Sequence, residues 1–299
     1  MHVLLTGATG TVGRFVAPAL ATAGHRVSRL GRSGDVAWTL DDPAQRLPAA
    51  DALVHLAFDH VPGRYRGGEG DDPARFRRLN LDGTRRLFDA VGAARIVFLS
   101  SRAVYGDHRR DRLLKESDPP EPDSLYGEVK LAAEAALGPR GASLRATGVY
   151  GGHPHKWETL FASYLRGETV APRIATEIHG ADVASAVLTL LASQETGAFN
   201  ASDLLLDRHD LLGRVQALTG CPHRPPPRAE GPKPGVMATC RLRLTGWRPG
   251  GWPRLEAVLG ETFRAPCTAA RSASGGRTAP AGRGRRARAA PPPRRAPPR

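Results

Sequence analysis

Lysine is scarce in this chain: four of its 43 basic residues, the rest being arginine. Cysteine is scarcer still. Cys221, Cys240 and Cys267 share no metal-like or redox spacing, which argues against a zinc ribbon or a thiol redox motif. Three reduced thiols suit a cytosolic protein. No apolar run reaches membrane-spanning length, so no membrane partner is expected. An apolar strand starts at the second residue, so no signal peptide is expected and the location is read as cytoplasmic. No internal repeat appears.

Positive charge is abundant, +14 over 299 residues. Nine of the arginines and none of the 29 acidic residues fall in 266–299, which leaves 34 basic against 29 acidic residues elsewhere. The folded part is therefore mildly basic. After Phe263-Arg264 the composition turns to Ala, Pro, Arg, Gly and Ser, with no large apolar side chain. Such a stretch cannot bury enough surface to order itself. Residues 265–299 are expected to form a disordered Ala/Pro/Arg tail. A solvated extension is preferred over a basic arm for nucleic acid or anionic membrane.

The apolar run His2–Thr6 reads as a buried strand, and Thr6-Gly7-Ala8-Thr9-Gly10-Thr11-Val12-Gly13 follows at once. Val12, Val16 and Leu20 then recur at helical spacing, although Pro18 lies within that stretch. Strand, glycine turn and helix is the context of a dinucleotide-binding loop. Gly7 permits the tight turn, Gly10 the approach of a pyrophosphate, and Gly13 close packing of helix on strand. Gly7, Thr9, Gly10, Thr11, Val12 and Gly13 are the expected cofactor contacts on the loop. The helix N-terminus would supply amide donors. A second strand, Arg26–Leu30, ends at Gly31-Arg32, where a carboxylate would usually meet a free ribose hydroxyl. None stands there. Arg32, with Arg29 or Arg14, can pair a 2′-phosphate. NADP is therefore expected in preference to NAD.

Val36–Leu40 reads as a third strand, with Asp41-Asp42-Pro43 as a turn. A fourth is Ala52–Ala57, reached with no clear crossover helix. Residues 59–73 read as a loop, and Pro73–Val91 as a helix with Phe76, Leu79, Leu87 and Val91 on compatible faces. The fifth strand is Arg95–Leu99. A helix over Tyr126–Leu137 leads to a sixth strand near Ala142–Arg145. Strands alternating with helices imply a Rossmann-type, doubly wound parallel α/β sheet. Helices are expected around Trp157–Leu165, Asp182–Ala192 and Arg208–Leu218. The division is 1–150 for the dinucleotide-binding domain, 151–264 for a small substrate lobe and 265–299 for the tail.

Tyr126 and Lys130, four apart, share a helix face. A tyrosine titrates near ~10, and a neighbouring ammonium lowers that value. Tyr126 can then exchange a proton with an alcohol or carbonyl while a nicotinamide exchanges a hydride. Ser101, just past the fifth strand, would orient the substrate oxygen. The glycine loop, Ala57 and Ser101 all lie at strand C-termini, the edge where ligands bind on such sheets.

With these pieces the sequence resembles the extended short-chain dehydrogenase/reductases, the NAD-dependent epimerase/dehydratase family, over about residues 1–264. The resemblance rests on Thr6–Gly13, Asp51–Ala57, Asn80-Leu81-Asp82-Gly83-Thr84, Ser100–Gly106, Tyr126-Gly127-Glu128-Val129-Lys130, Leu144–Gly151 and His179–Ala184. It implies that Ser101, Tyr126 and Lys130 are catalytic and that Asn80 supports them through backbone hydrogen bonds. It implies that Leu56 and Ala57 lie against the cofactor, that Thr147–Tyr150 faces nicotinamide and substrate, and that the chain forms a homodimer. The implied reaction is hydride transfer between nicotinamide and a small alcohol or carbonyl, sugar-like substrates included; the alternatives are an NAD-dependent nucleotide-sugar epimerase and, behind it, a non-catalytic cofactor sensor. Arg102-Ala103 stand where family dehydratases carry an acidic pair, which argues against dehydration. His153-x-His155 has no third ligand at a plausible spacing, so no metal is expected. His55 on its buried strand reads as a satisfied core histidine.

Overall fold

The computed structural model describes residues 1–42, 46–61 and 68–263. Along the chain the strands are β1 (His2–Thr6), β2 (Arg26–Leu30), β3 (Ala52–His55), β4 (Arg95–Ser101), β5 (Leu113–Leu114), β6 (Gly141–Ala146), β7 (Gly148–Tyr150), β8 (Ile174–His179), β9 (Gly197–Ala201), β10 (Leu204–Asp207) and β11 (Val236–Met237). The α-helices are α1 (Gly13–Thr22), α2 (Pro73–Arg77), α3 (Gly83–Ala90), α4 (Leu125–Leu137), α5 (Glu158–Leu165), α6 (Gly180–Ala192), α7 (Arg208–Thr219), α8 (Cys240–Leu244) and α9 (Gly251–Phe263).

Six strands form one sheet in the order β2-β1-β3-β4-β6-β9, parallel throughout. Both faces are covered, and the strand alternation divides the apolar residues between them. Val3, Leu5, Val54 and Val97 point to the face covered by α1 and α6, through Val16, Leu20, Val183 and Val187. Leu4, Leu53, Ile96 and Phe98 point to the face covered by α3 and α4, through Leu87, Phe88, Ala133 and Leu137. Burying each such side chain is worth about 1.5–3 kcal/mol. A slip of one residue would exchange the two sets, so the register is strongly specified. This is the doubly wound α/β sheet expected from the sequence.

Three details differ from expectation. Val36–Leu40 is not a strand: only Val36 bridges to Leu30, in parallel. Beyond it the chain turns inward, where Trp38 is 8% exposed and packs in the α3–α4 core. The expected helix over Pro73–Val91 is three segments. A π-helical stretch, Arg78–Asp82, separates α2 from α3. The expected end of the fourth strand at Ala57 comes at His55, because Leu56 and Ala57 donate their amides to Thr6 Oγ1 instead (3.1 Å each).

The second half builds a separate three-stranded sheet, β10-β8-β7. Its core joins Tyr150, Trp157, Phe161, Leu211, Leu212, Leu255 and Leu259. Leu255 and Leu259 lie one turn apart on α9, a helix that sequence reasoning passed over. Gly250, Gly251 and Pro253 read there as breakers, yet proline is tolerated in a first helical turn. The tail from Arg264 onward and the central part of the 59–73 loop lie outside the described residues. So does Pro43 of the expected turn.

Candidate active site

The turn between β1 and α1 is closed by Gly10 N donating to Gly7 O (3.0 Å). Gly7 has φ +67°, and a Cβ there would sit 2.7 Å from Ala57 N. A Cβ on Gly13 would sit 2.0 Å from Gly7 O. Both positions therefore require glycine. At Gly10 a Cβ would come within 4 Å of one atom only, Gly7 O at 3.3 Å. The outer side of the turn is thus open to an approaching group, with Thr9 and Gly10 exposed and Thr11 and Val12 half-buried. Val12 precedes α1 and no side chain caps that helix. The amides of Arg14, Phe15 and Val16 donate to Gly10 O and Val12 O, so an anion would meet the turn ahead of them, at the positive end of the helix dipole. The loop fits a pyrophosphate.

A buried hydrogen-bond chain runs beneath it. Thr6 Oγ1 accepts two amides and so donates its own proton to His55 Nδ1 (2.7 Å). His55 Nε2 then donates to Thr84 Oγ1 (2.9 Å), and Thr84 donates to the Asn80 carbonyl (2.7 Å). Burial lowers His55 to about 3, with Lys130 acting in the same direction, so the ring is neutral. Asn80 lies in the π-helical stretch. Its Oδ1 accepts from Asp59 N (2.6 Å), and its Nδ2 donates to Asp59 O (2.8 Å) and Phe76 O (3.1 Å). One side chain thereby holds the segment that follows β3. Such π segments recur at functional sites.

At the end of β2 the three candidate arginines separate. Arg29 is paired with Asp35 (Nη2–Oδ1 2.9 Å), whose carboxyl is held down to about 2 by Arg29's hydrogen bonds. Arg14 donates to the His153 carbonyl. Arg32 is exposed and has no partner among the described residues. A carboxylate does stand near the end of β2, then, at Asp35, but Arg29 occupies it.

Two strands along the sheet from β1, Ser101 ends β4 and its Oγ accepts from Ala103 N (3.1 Å), capping the 3-10 turn Arg102–Tyr105. Ser124 caps α4 in the same way, accepting from Gly127 N (3.3 Å). A Cβ on Gly127 would lie 2.5 Å from Ala103 O, so α4 enters directly against the turn after Ser101. Lys130 is 3% exposed, and its Nζ donates to Leu99 O on β4 (2.7 Å). The ammonium also lies 4.1 Å from the Phe58 ring centre and 4.8 Å from that of Phe98. Burial lowers Lys130 to about 7, and the Glu134 carboxylate acts against that shift. The half-buried Tyr126 packs edge-on to Phe58 (5.2 Å) and donates its amide to Glu69 (3.2 Å). Ser101, Tyr126 and Lys130 are thus brought to one place, with Asn80 behind Phe58 and Asp59.

The model of the NAD dependent epimerase/dehydratase family matches residues 3–202. The chain belongs to this family. It is 26% identical to the dTDP-4-dehydrorhamnose reductase of Mycolicibacterium smegmatis, over 89% of this chain and 88% of that protein. It is 31% identical to the UDP-glucose 4-epimerase of Lacticaseibacillus casei, over 44% of each. Among solved structures, the Thermus thermophilus UDP-glucose 4-epimerase complex with NAD superposes with a TM-score of 0.69 at 25% identity, covering 89% of this chain and all of that one. A human epimerase family protein with NADPH shares the fold, with a TM-score of 0.71 at 21% identity over 87% of this chain and 98% of that one.

Membership makes this an NAD(P)-dependent enzyme of the short-chain dehydrogenase type. Several of its site neighbours were not legible in advance. Nothing in the sequence marks Phe58 as the ring over Lys130. Gly127 carries a signal, because glycine inside a helix usually has a packing reason. Asp35 stands too far past β2 for the usual ribose position. Among the described residues no group of three His, Cys, Asp or Glu side chains is placed to hold a metal ion, and no helix is long and apolar enough to cross a membrane.

Proposed function

We propose that this protein is an NADP-preferring reductase or dehydrogenase of the family, acting on a carbonyl or alcohol of a small, sugar-like substrate. The observation that carries the reading is the docking of α4 on β4. Lys130 Nζ on Leu99 O and Gly127 against Ala103 O join the helix that carries Tyr126 and Lys130 to the strand end that carries Ser101, which supports a shared role for the three.

When bound, the nicotinamide supplies or accepts the hydride. Ser101 donates a hydrogen bond to the substrate oxygen and orients it. Tyr126 gives its phenolic proton to that oxygen in reduction and takes it back in oxidation. Lys130, as an ammonium, stabilises the phenolate that results. Asn80 keeps Asp59 and Phe58 in place around Lys130. Gly7, Thr9, Gly10, Thr11, Val12 and Gly13 would hold the pyrophosphate, Leu56 and Ala57 would lie against the cofactor, and Arg32 would pair a 2′-phosphate.

Arg102 supports reduction over dehydration: it is turned to Asp107 (2.9 Å) and Gly235 O (3.0 Å), and buried Ala103 follows it. The reductase from Mycolicibacterium smegmatis, matched along most of its length, supports a sugar-like carbonyl. Likeness to UDP-glucose 4-epimerases supports the second reading, epimerisation with retained NAD. A panel of nucleotide-linked keto-sugars and free sugars, followed by NADPH absorbance, separates the two. Stoichiometric loss of NADPH is expected. Substrate conversion with no change in absorbance would establish the epimerase instead.

A further inference from the structure

Beneath the proposed catalytic residues lies a buried polar network that the chemistry above does not use. Glu134 stands one helical turn after Lys130 on α4, and its side chain is 8% exposed. Its Oε1 accepts from the Ser100 hydroxyl and from Arg145 Nε (3.0 Å), and its Oε2 accepts from Arg145 Nη2 (2.6 Å). Arg145 is on β6, in register with Ser100 on β4, and is 5% exposed. Its Nη1 donates to the hydroxyl of Tyr105 (2.8 Å), which lies in the turn after Ser101. One carboxylate therefore ties α4, β4 and β6 together, adjacent in sequence to Ser101 and one turn from Lys130.

A buried ion pair is a weak source of stability, because desolvation offsets the attraction. Its place suggests another reason. The titratable groups on the elements around Lys130 are Tyr126, Glu128 and Glu134 on α4, His55 on β3, Asp59 and His60 just beyond β3, Arg95 on β4 and Arg145 on β6. Glu128 is paired with Arg77 (2.6 Å), and Arg95 donates to Leu190 O (2.9 Å). His55 is neutral, and Asp59 is turned to Arg75 (2.9 Å). Glu134 is the carboxylate held by buried hydrogen bonds on the helix face that carries Lys130.

We infer that Glu134 is a positioning residue for the Tyr126–Lys130 pair. Fixed by Ser100 and Arg145, it sets the rotation of α4 over the end of β4 and places a counter-charge beside Lys130. The inference rests on the roles proposed for Tyr126 and Lys130. Without the charge at 134, burial acts on Lys130 unopposed, and the unpaired Arg145 cation adds to it. The ammonium then survives only at lower pH, and above that pH Tyr126 loses its helper.

The scarcity of lysine makes the test direct. The chain has four lysines, so isotope-labelled lysine in the full chain gives four Cε resonances to follow by NMR. Lys130→Met identifies the one that matters. In the unmodified protein it should titrate near pH 7. In Glu134→Gln the midpoint should fall by about one pH unit, the scale of losing an opposite charge at close range. Glu134→Asp, which keeps the charge, should restore most of it. The double variant Glu134→Gln/Arg145→Met leaves no buried charge unpaired. It should fall in the same direction and serves if the single variant does not fold. An unmoved midpoint in either folded variant would overturn the inference. The readout needs no turnover, so it is separate from the site's proposed chemistry; if Tyr126→Phe kept full activity, that chemistry would fail and remove the premise here.

Discussion

On the β1 side the candidate site is shaped by backbone: Gly7, Gly10 and Gly13 turn without side chains, and Leu56 and Ala57 fold back onto Thr6 through their amides. On the β4 side it is shaped by side chains: Lys130 reaches Leu99 O between two phenyl rings, and Glu134 and Arg145 fill the space below. A backbone site tolerates no added atom where the turn packs on itself, at Gly7 and Gly13, but needs few residue identities. A side-chain site tolerates small changes of shape but depends on charge and proton position.

The largest effect should come from adding one methyl group on the backbone side. Gly13→Ala puts a Cβ 2.0 Å from Gly7 O. It should abolish cofactor binding and lower stability by about 3 kcal/mol, as overpacking does. Gly10→Ala meets only one atom, at 3.3 Å. It should melt as before yet bind NADPH poorly. Thermal melts with fluorescence titration of NADPH check both, and equal melting losses would erase the distinction between the two glycines.

On the side-chain side, Tyr126→Phe removes the proton and keeps the packing on Phe58. Turnover should drop by about 10²–10⁴, the usual contribution of a general acid. NADPH binding should stay unchanged, as read by the same titration. Loss of binding together with turnover would show that the two sides are not separable.

His55 joins the two sides and makes the link sensitive to acid. Its folded value lies near 3 against an ordinary 6.5, so its neutral form is fully stabilising above pH 6.5. That stability should be lost as pH falls from 6.5 toward 3. His55→Gln should flatten the decline in a series of melts across this range; an unaltered slope would place the acid sensitivity elsewhere. The smallest effect belongs to Arg32→Ser. It should weaken NADPH about tenfold and leave NADH unchanged, in keeping with an exposed phosphate contact. Equal loss for both cofactors would contradict the proposed NADP preference.

The unequal legibility of the two sides follows from the same contrast. Strand β1, the glycine turn and α1 are written in nearest neighbours: apolar alternation, glycine at fixed offsets and helical spacing within some twenty residues. Tyr126 and Lys130 were visible as a spacing on one helix, and Ser101 as the residue past an apolar strand. Val36–Leu40 misled because its alternation is that of any extended chain. Whether such a segment pairs or turns its Trp38 into the core depends on what lies beneath it. The π-helical stretch at Asn80 was hidden for a related reason. Phe76, Leu79, Leu87 and Val91 fit an unbroken helix, and the break arises where Asn80 reaches across to Asp59.

Local pattern, then, was enough for the family, the parallel sheet and the glycine turn, and it singled out Ser101, Tyr126 and Lys130, the trio to which the reacting roles are proposed here. The surroundings of that trio were not in the pattern. Phe58 over Lys130, Gly127 against Ala103, Asp35 on Arg29 and Glu134 between Ser100 and Arg145 join residues far apart in the chain, or too near to be distinguished from surface pairs. Their meeting depends on how α4 settles on β4 and how the chain leaves β2 and β3. Those are packing outcomes, and burial makes their charges count.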